Sequence, residues 1–215
     1  RGVSSFIFAS SCSVYGFAET GDRTEESEVN PLTAYARSKV LTETLLKEVA
    51  SVDFKVTCLR FATACGISDR LRLDLVLNDF VASAIANHEI EILSDGKPWR
   101  PLINVKDMAL AIDWAMTRKQ SYDYIVVNAG SNQWNFQVKD LAVAVKKVFP
   151  DIKVSINKDA LPDKRSYKVD FSLFQELAPN HQPRFDLEKT IIDLKEGLNS
   201  FGFKDSKFRK SELIR

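Results

Sequence analysis

The feature that most constrains the fold is a strand–helix–strand succession at the start of the sequence. Val3-Ser4-Ser5-Phe6-Ile7-Phe8-Ala9 is a mostly apolar run of strand length that ends in small polar residues. That pattern belongs to a strand buried in a parallel sheet. The spacing predicts a helix over Ala34–Val49, with Thr33 as its N-cap and Val40, Leu41, Leu45, Leu46 and Val49 as its buried stripe. Lys55–Phe61 reads as the next strand. Two parallel strands joined through a helix form a crossover unit, right-handed in nearly all proteins. The opening sixty residues thus commit the chain to an α/β fold.

The predicted helix begins Thr33-Ala34-Tyr35-Ala36-Arg37-Ser38-Lys39. Residues four apart on a helix lie on one face, about 40° apart around the axis. The Lys39 ammonium is therefore expected near the Tyr35 phenol. A nearby positive charge favours the phenolate and lowers a pKa that starts near ~10, which suits a general base. Ser11, at the end of the first strand, can share the same substrate oxygen. These three groups describe a proton shuttle for oxidising a secondary alcohol, whose carbon-bound hydrogen must leave as hydride to a cofactor.

Bulk properties exclude other classes. The net charge is +1 over 215 residues, so nothing favours nucleic acid or an anionic membrane. No apolar run approaches the ~18 residues of a membrane span. Cys12, Cys58 and Cys65 are odd in number, lie in or beside apolar strands and lack metal-ligand spacing. They read as buried thiols of a reducing compartment, which points to the cytoplasm and to no metal site. His88 and His181 stand alone and are expected at the surface.

Further along, the polar stretch Gly16–Asn30 reads as a solvated surface loop, and 62–72 as a loop leaving the second strand. Helices are expected over about Asp74–Asn87, Lys106–Thr117, Val138–Val148 and Ser172–Leu177, and a last helix is capped by Asp186. Short strands are expected at Ile90–Leu93, Tyr124–Asn128 and Lys153–Ile156, and a turn at Asp95-Gly96. Lys204–Arg215 reads as a solvated charged tail.

Ser10-Ser11-Cys12-Ser13-Val14-Tyr15-Gly16, followed by Pro31-x-x-x-Tyr35-x-x-x-Lys39, resembles the extended short-chain dehydrogenase/reductase family of nucleotide-sugar epimerases and dehydratases. The resemblance implies a Rossmann-type parallel sheet, here its C-terminal half, with a smaller interleaved α/β substrate lobe. Residues 1–70 and about 104–130 would belong to the cofactor sheet. Residues about 71–103 and 131–203 would build the lobe and its flanking helices, with 204–215 as the tail. It implies NAD as cofactor, with NADP left open, touched by Tyr35, Lys39 and Phe61.

The resemblance extends to the substrate side. Arg60-Phe61-Ala62-Thr63-Ala64-Cys65-Gly66 is similar to the family's Arg-Phe/Tyr-x-Asn-x-x-Gly, with Thr63 at the asparagine. Asn78 matches an asparagine that touches the nucleotide diphosphate. Trp99–Asp107 resembles Gly-x-x-x-Arg-x-x-x-x-Val-x-Asp, which makes Arg100 a phosphate ligand suited by its planar fork. Asp163–Asp170 resembles Asp-x-Arg-x-Tyr-x-Val-Asp, which makes Arg165 a second phosphate or ribose contact. The family's Gly-x-x-Gly-x-x-Gly turn is not in this sequence. The expectation is a C-terminal part of a longer protein, unable by itself to bind NAD tightly or turn over, and a homodimer when full length.

Within the family, dehydratases place carboxylates directly after the catalytic hydroxyl, where this chain has Cys12 and Ser13. The expected activity is a nucleotide-sugar 4-epimerase. Alternatives are a keto-sugar reductase or dehydratase of the same fold, or a non-catalytic binding module.

Overall fold

The buried apolar runs pair as the sequence pattern demands. A computed structural model describes residues 2–18, 21–119, 121–157 and 166–210. In chain order its first elements are β1 (Ser5–Ser11), β2 (Asp22–Arg23), α1 (Ala34–Val49), β3 (Lys55–Phe61), β4 (Thr63–Cys65) and α2 (Val76–Asn87). There follow β5 (Glu89–Ile92), β6 (Trp99–Asn104), α3 (Val105–Thr117), β7 (Tyr124–Ala129), β8 (Asn135–Gln137) and α4 (Val138–Val148). The chain closes with β9 (Lys153–Ile156), β10 (Lys168–Val169), α5 (Ser172–Leu177) and α6 (Leu187–Ser200).

β1, β3 and β7 form a parallel sheet in that order. The strand order and the helices between the strands give the expected α/β Rossmann-type arrangement. The register aligns Ser10 with Arg60 and Arg60 with Asn128. A second sheet has the order β4-β6-β8, and β5 pairs with β9. Side-chain caps start the helices where the sequence placed them. Thr33 accepts from the Ala36 amide at 3.1 Å, and Asp186 accepts from Lys189 at 2.7 Å.

Two hydrophobic clusters result. One, around the three-stranded sheet, contains Val14, Leu59, Ile103, Trp114, Val127, Phe171 and Phe174. The other gathers α2, α4 and α6 about Leu77, Phe80, Ile90, Ile92, Leu141, Val145, Ile191 and Leu194.

Four expectations are corrected. The apolar stripe of α1 is only partly buried: Val40 packs against the sheet cluster and Leu46 is half-buried, but Leu41, Leu45 and Val49 are exposed, and the fully buried residues of the helix are Ala36 and Glu43. The helix docks through Ala36, Val40 and a polar network, which leaves Leu41, Leu45 and Val49 on the opposite face. The loop Gly16–Asn30 is anchored rather than solvated, because β2 pairs with β10 and the Glu25 carboxylate accepts from the Asn128 amide at 2.7 Å. The segment 62–72 contains β4, paired with β6. Finally, the charged tail packs through residue 210: Phe208 is buried in the second cluster, and Arg209 grips Asp79 with both oxygens at 2.8 and 2.7 Å.

His88 is exposed in a left-handed backbone conformation. His181 is half-buried against Asp113.

Candidate active site

A cleft of about 1140 Å³ opens between the carboxyl ends of β1 and β3 and the second cluster. Ligands of open α/β sheets bind at such strand ends. Ser11, Tyr35, Lys39, Phe61 and Arg100 all line it. The structure thus brings together five of the seven residues singled out from the sequence.

Each is positioned by a local cause. Ser11 ends β1 and caps the 3₁₀ turn Cys12–Tyr15, its Oγ accepting from the Ser13 amide at 3.2 Å. Tyr35 sits in the first turn of α1, with its side chain open to the cleft. Lys39, one turn on, donates from Nζ to the Ala9 carbonyl at 2.8 Å. Its ammonium lies 4.8 Å from the Phe8 ring centre and 5.2 Å from that of Tyr35, within cation–π range of both. The helix is thereby tied to the strand that carries Ser11. Phe61 ends β3 and is almost fully buried. Arg100 lies on β6, half-buried, with Nη1 donating to the Trp99 carbonyl at 2.8 Å.

Asn78 is placed elsewhere. It is buried in α2, accepts from the Gly66 amide at 2.9 Å and donates to the Arg72 carbonyl at 2.9 Å. It holds the 66–72 loop and does not line the cleft. Arg165 lies outside the described residues.

The cleft has features that motif reading passed over. Ser13 Oγ is buried at its edge, with no hydrogen-bond partner among the described residues. A buried hydroxyl left unpaired is costly unless something arrives to pair with it. Its position two residues after Ser11 was the available signal. On the opposite side, Arg72 pairs with both Asp74 oxygens at 2.7 and 2.6 Å. That pairing pushes the Arg72 guanidinium up and Asp74 down from their ordinary values, and Arg72 also lies within electrostatic reach of Tyr35. Arg209, paired with Asp79, walls the cleft where Glu91 and Leu93 line it.

Behind α1 lies a buried polar network. Arg60 grips Glu43 through Nε and Nη2 at 3.0, 3.2 and 2.7 Å. Its Nη1 donates to the Tyr15 hydroxyl at 3.1 Å, which in turn donates to Asn128 at 2.6 Å. Burial pulls the Arg60 guanidinium down, but Glu43 and Tyr15 more than offset it, so its pKa stands above the usual arginine value. Burial holds the Tyr15 phenol well above its ordinary value. Glu43 follows Tyr35 and Lys39 at the same four-residue spacing, and that was the signal in the sequence.

The Ser11 hydroxyl, the Tyr35 phenol and the Lys39 ammonium thus line one cleft together with the guanidinium groups of Arg72, Arg100 and Arg209. Such a site can hold an alcohol oxygen between two proton-carrying groups, with an anion further along.

Comparison with known proteins places this geometry. Residues 1–130 match the family described as NAD dependent epimerase/dehydratase. The UDP-glucose 4-epimerase of Pasteurella multocida is 29% identical over 172 residues, covering 71% of this chain and 50% of that protein. The UDP-glucose 4-epimerase of Bacillus subtilis is 22% identical over 164 residues, covering 68% and 48%. Among solved structures, the UDP-Glc/GlcNAc 4-epimerase from Campylobacter jejuni superposes with a TM-score of 0.73 at 27% identity, over 93% of this chain and 65% of that one. An NAD dependent NDP-hexosamine 5,6-dehydratase of tunicamycin biosynthesis gives 0.79 at 25% identity, over 93% and 64%. The chain spans half or less of the length of the curated relatives it matches. With 130 of 215 residues matched, the chain belongs to the NAD dependent epimerase/dehydratase family, a family of enzymes.

Proposed function

We propose that the full-length protein is a nucleotide-sugar 4-epimerase that uses NAD. Tyr35 accepts the proton of the sugar 4-hydroxyl, Ser11 hydrogen-bonds the same oxygen, and Lys39 supplies the positive charge beside the phenol. Bound NAD would supply the acceptor and donor of the C4 hydride, with Tyr35, Lys39 and Phe61 the residues that would hold its nicotinamide end. This chain's residues fit the nicotinamide end of such a cofactor: Lys39, Tyr35 and the buried Phe61 ring border one cleft. The repeated-glycine phosphate turn is not among them. Arg100 is the proposed partner of the substrate's phosphates, and the segments about 71–103 and 131–203 form the proposed substrate lobe. In this reading Asn78 shapes the 66–72 loop and acts on substrate only through it, and Arg165 keeps its role as a second phosphate or ribose contact.

One observation carries the choice of reaction. The turn after Ser11 consists of the buried Cys12 and Val14 and the cleft-lining Ser13, with no carboxylate to pull a proton from a neighbouring carbon. An epimerase needs none, whereas a dehydratase needs an acid and a base. The exposed stripe of Leu41, Leu45 and Val49 on α1 supports a homodimer through this helix.

The test incubates the full-length protein with UDP-, GDP-, dTDP- and CDP-sugars and NAD without reductant, and follows products by NMR. A 4-epimer at equilibrium, lost in Tyr35→Phe, is the expected result. A 4-keto-6-deoxy product would make the protein a dehydratase. Turnover only with NADPH and a keto sugar would make it a reductase. No turnover in any arm would overturn the catalytic reading in favour of a binding module.

A further inference from the structure

Three sheet residues stand side by side in the second-last row of the sheet, where Ser10 and its neighbour Ser11 both line the cleft. Ser10 of β1 is in register with Arg60 of β3, which is in register with Asn128 of β7. All three are buried, and all three are polar. The next row up begins with Ser11 and Phe61, which line the cleft. A buried polar row across the carboxyl end of a parallel sheet is a cost that apolar residues would avoid.

One side chain on α1 meets this row. Glu43 accepts from Ser10 Oγ at 2.5 Å and from Arg60 through three contacts. The Tyr124 hydroxyl donates to the Glu43 carbonyl at 3.1 Å, adding a third strand. Glu43 is the i+8 residue from Tyr35 and the i+4 residue from Lys39, so the three rise along one side of the helix. Along β1 the anchors alternate in the same way: the Ala9 carbonyl takes Lys39, Ser10 takes Glu43, and Ser11 turns to the cleft. α1 buries little else, since Ala36 is its one other fully buried side chain. Of its apolar residues, Val40 packs against the sheet cluster and Leu46 is half-buried, while Leu41, Leu45 and Val49 are exposed and add nothing to the fixing of its height on the sheet.

We propose that Glu43 is a positioning residue. Its clasp on Ser10 and Arg60 sets the height and rotation of α1 on the sheet, and so the placement of Tyr35 and Lys39 against Ser11. This inference rests on the catalytic reading of those three residues. A directional, multiply bonded carboxylate fixes one register where greasy packing would allow several, which is the best-attested use of a buried ion pair. A misplacement of about 1 Å costs a proton-transfer site as much as a hundredfold in rate.

The experiment compares the full-length protein with the triple variant Ser10→Ala, Glu43→Met, Arg60→Met, which removes the network and refills its volume with apolar atoms. A buried pair replaced in this way commonly keeps its stability. The expected result is a folded protein with kcat lowered roughly 10- to 100-fold and KM for the nucleotide sugar held within about twofold. Glu43→Gln, which keeps the shape and half of the hydrogen bonds, is expected to retain most of the rate. Wild-type kcat in the folded triple variant would overturn the proposal. If the wild-type protein turns over no nucleotide sugar, the catalytic reading fails separately, and crystal structures of the wild-type and triple-variant proteins decide this inference. A shift of Tyr35 relative to Ser11 supports it, and an unmoved α1 overturns it. Should the triple variant not fold, the same structural comparison on the double variant Glu43→Leu, Arg60→Leu decides.

Discussion

Phe208→Ala and Arg209→Ala test how the C-terminal segment is held, because adjacent residues should respond very differently. Phe208 is 2% exposed within the second cluster and meets Phe203 edge-on, with centroids 5.7 Å apart. Truncating a buried phenylalanine costs about 3–5 kcal/mol, and the edge-to-face contact lies inside that range. Arg209 makes a two-pronged pair with Asp79, but its side chain is 35% exposed and that of Asp79 is 17% exposed. Such a pair is screened by water and contributes about 1 kcal/mol or less. The expected order is a loss of about 3 kcal/mol or more for Phe208→Ala and about 1 kcal/mol or less for Arg209→Ala. Only the second loss should shrink as salt shortens the Debye length towards ~3 Å. Urea unfolding of the chain, with extrapolation to water in low and high salt, reads both numbers. Trp134 lies in the same cluster and reports the transition by fluorescence. A Phe208→Ala loss under about 1 kcal/mol would refute the packing argument and return the segment to solvent; an Arg209→Ala loss exceeding that of Phe208→Ala would instead assign the anchoring to the ion pair.

Gly130→Ala should lower stability by about 1–3 kcal/mol, because a Cβ there would lie 2.5 Å from the buried Phe171 ring. A thermal shift no larger than that of a surface alanine would contradict the crowding. All three thiols are fully buried, and burial pushes each of them up, Cys58 to about 12. Ellman's reagent at pH 8 should therefore label none of them in the native chain and all of them in urea; prompt native labelling would show that the core opens readily. Leu41→Glu with Leu45→Glu should leave the fold intact, because both side chains are exposed, and should convert a full-length dimer to monomers by light scattering. An unchanged mass would move the proposed interface off α1.

Much of the fold was legible because local chemistry and tertiary placement agreed. The bounds Ala34–Val49, Lys55–Phe61, Val138–Val148 and Ser172–Leu177 were read from capping, periodicity and strand length, and the structure has the same bounds. Disagreement arose where a residue's partner was distant in sequence. The first strand was read as Val3–Ala9 but is Ser5–Ser11, since Ser10 and Ser11 are small polar residues whose strand character comes from pairing with Arg60 and Phe61. The two-residue strands β2 and β10 carry no periodicity at all and exist through their mutual pairing. Leu41, Leu45 and Val49 of the expected α1 stripe lie on the solvent side for the same reason, while Val40 packs inward. Hydrophobic patterning assumes that the apolar side turns inward, and nothing local to Glu43 announces that Arg60 waits on the sheet. In the site, Tyr35, Lys39 and Ser11 were legible because a helix face and a strand end place them. Asn78 was assigned a ligand by motif alone, yet its amide is spent on two backbone groups.

The position of the cleft follows from how the chain passes between its two clusters. Phe61 packs in the sheet cluster, and four residues later Cys65 packs in the other. On β6 the change occurs between neighbours, with Leu102 in one cluster and Ile103 in the other. A strand that alternates its side chains can serve as a wall between two cores, and β6 does so while pairing with β4 in parallel register, Thr63 opposite Leu102. These crossings lie at the carboxyl ends of the sheet strands, where the backbone departs and no further strand residue fills the space. The groups on the two sides of the cleft are therefore held by strand backbone: Ser11 and Phe61 by the sheet, and Arg100 by β6, two residues before Leu102. Ser11 and Phe61 belong to one hydrogen-bonded ladder and Arg100 to another, and the two are joined covalently through Ala62, the one residue between β3 and β4.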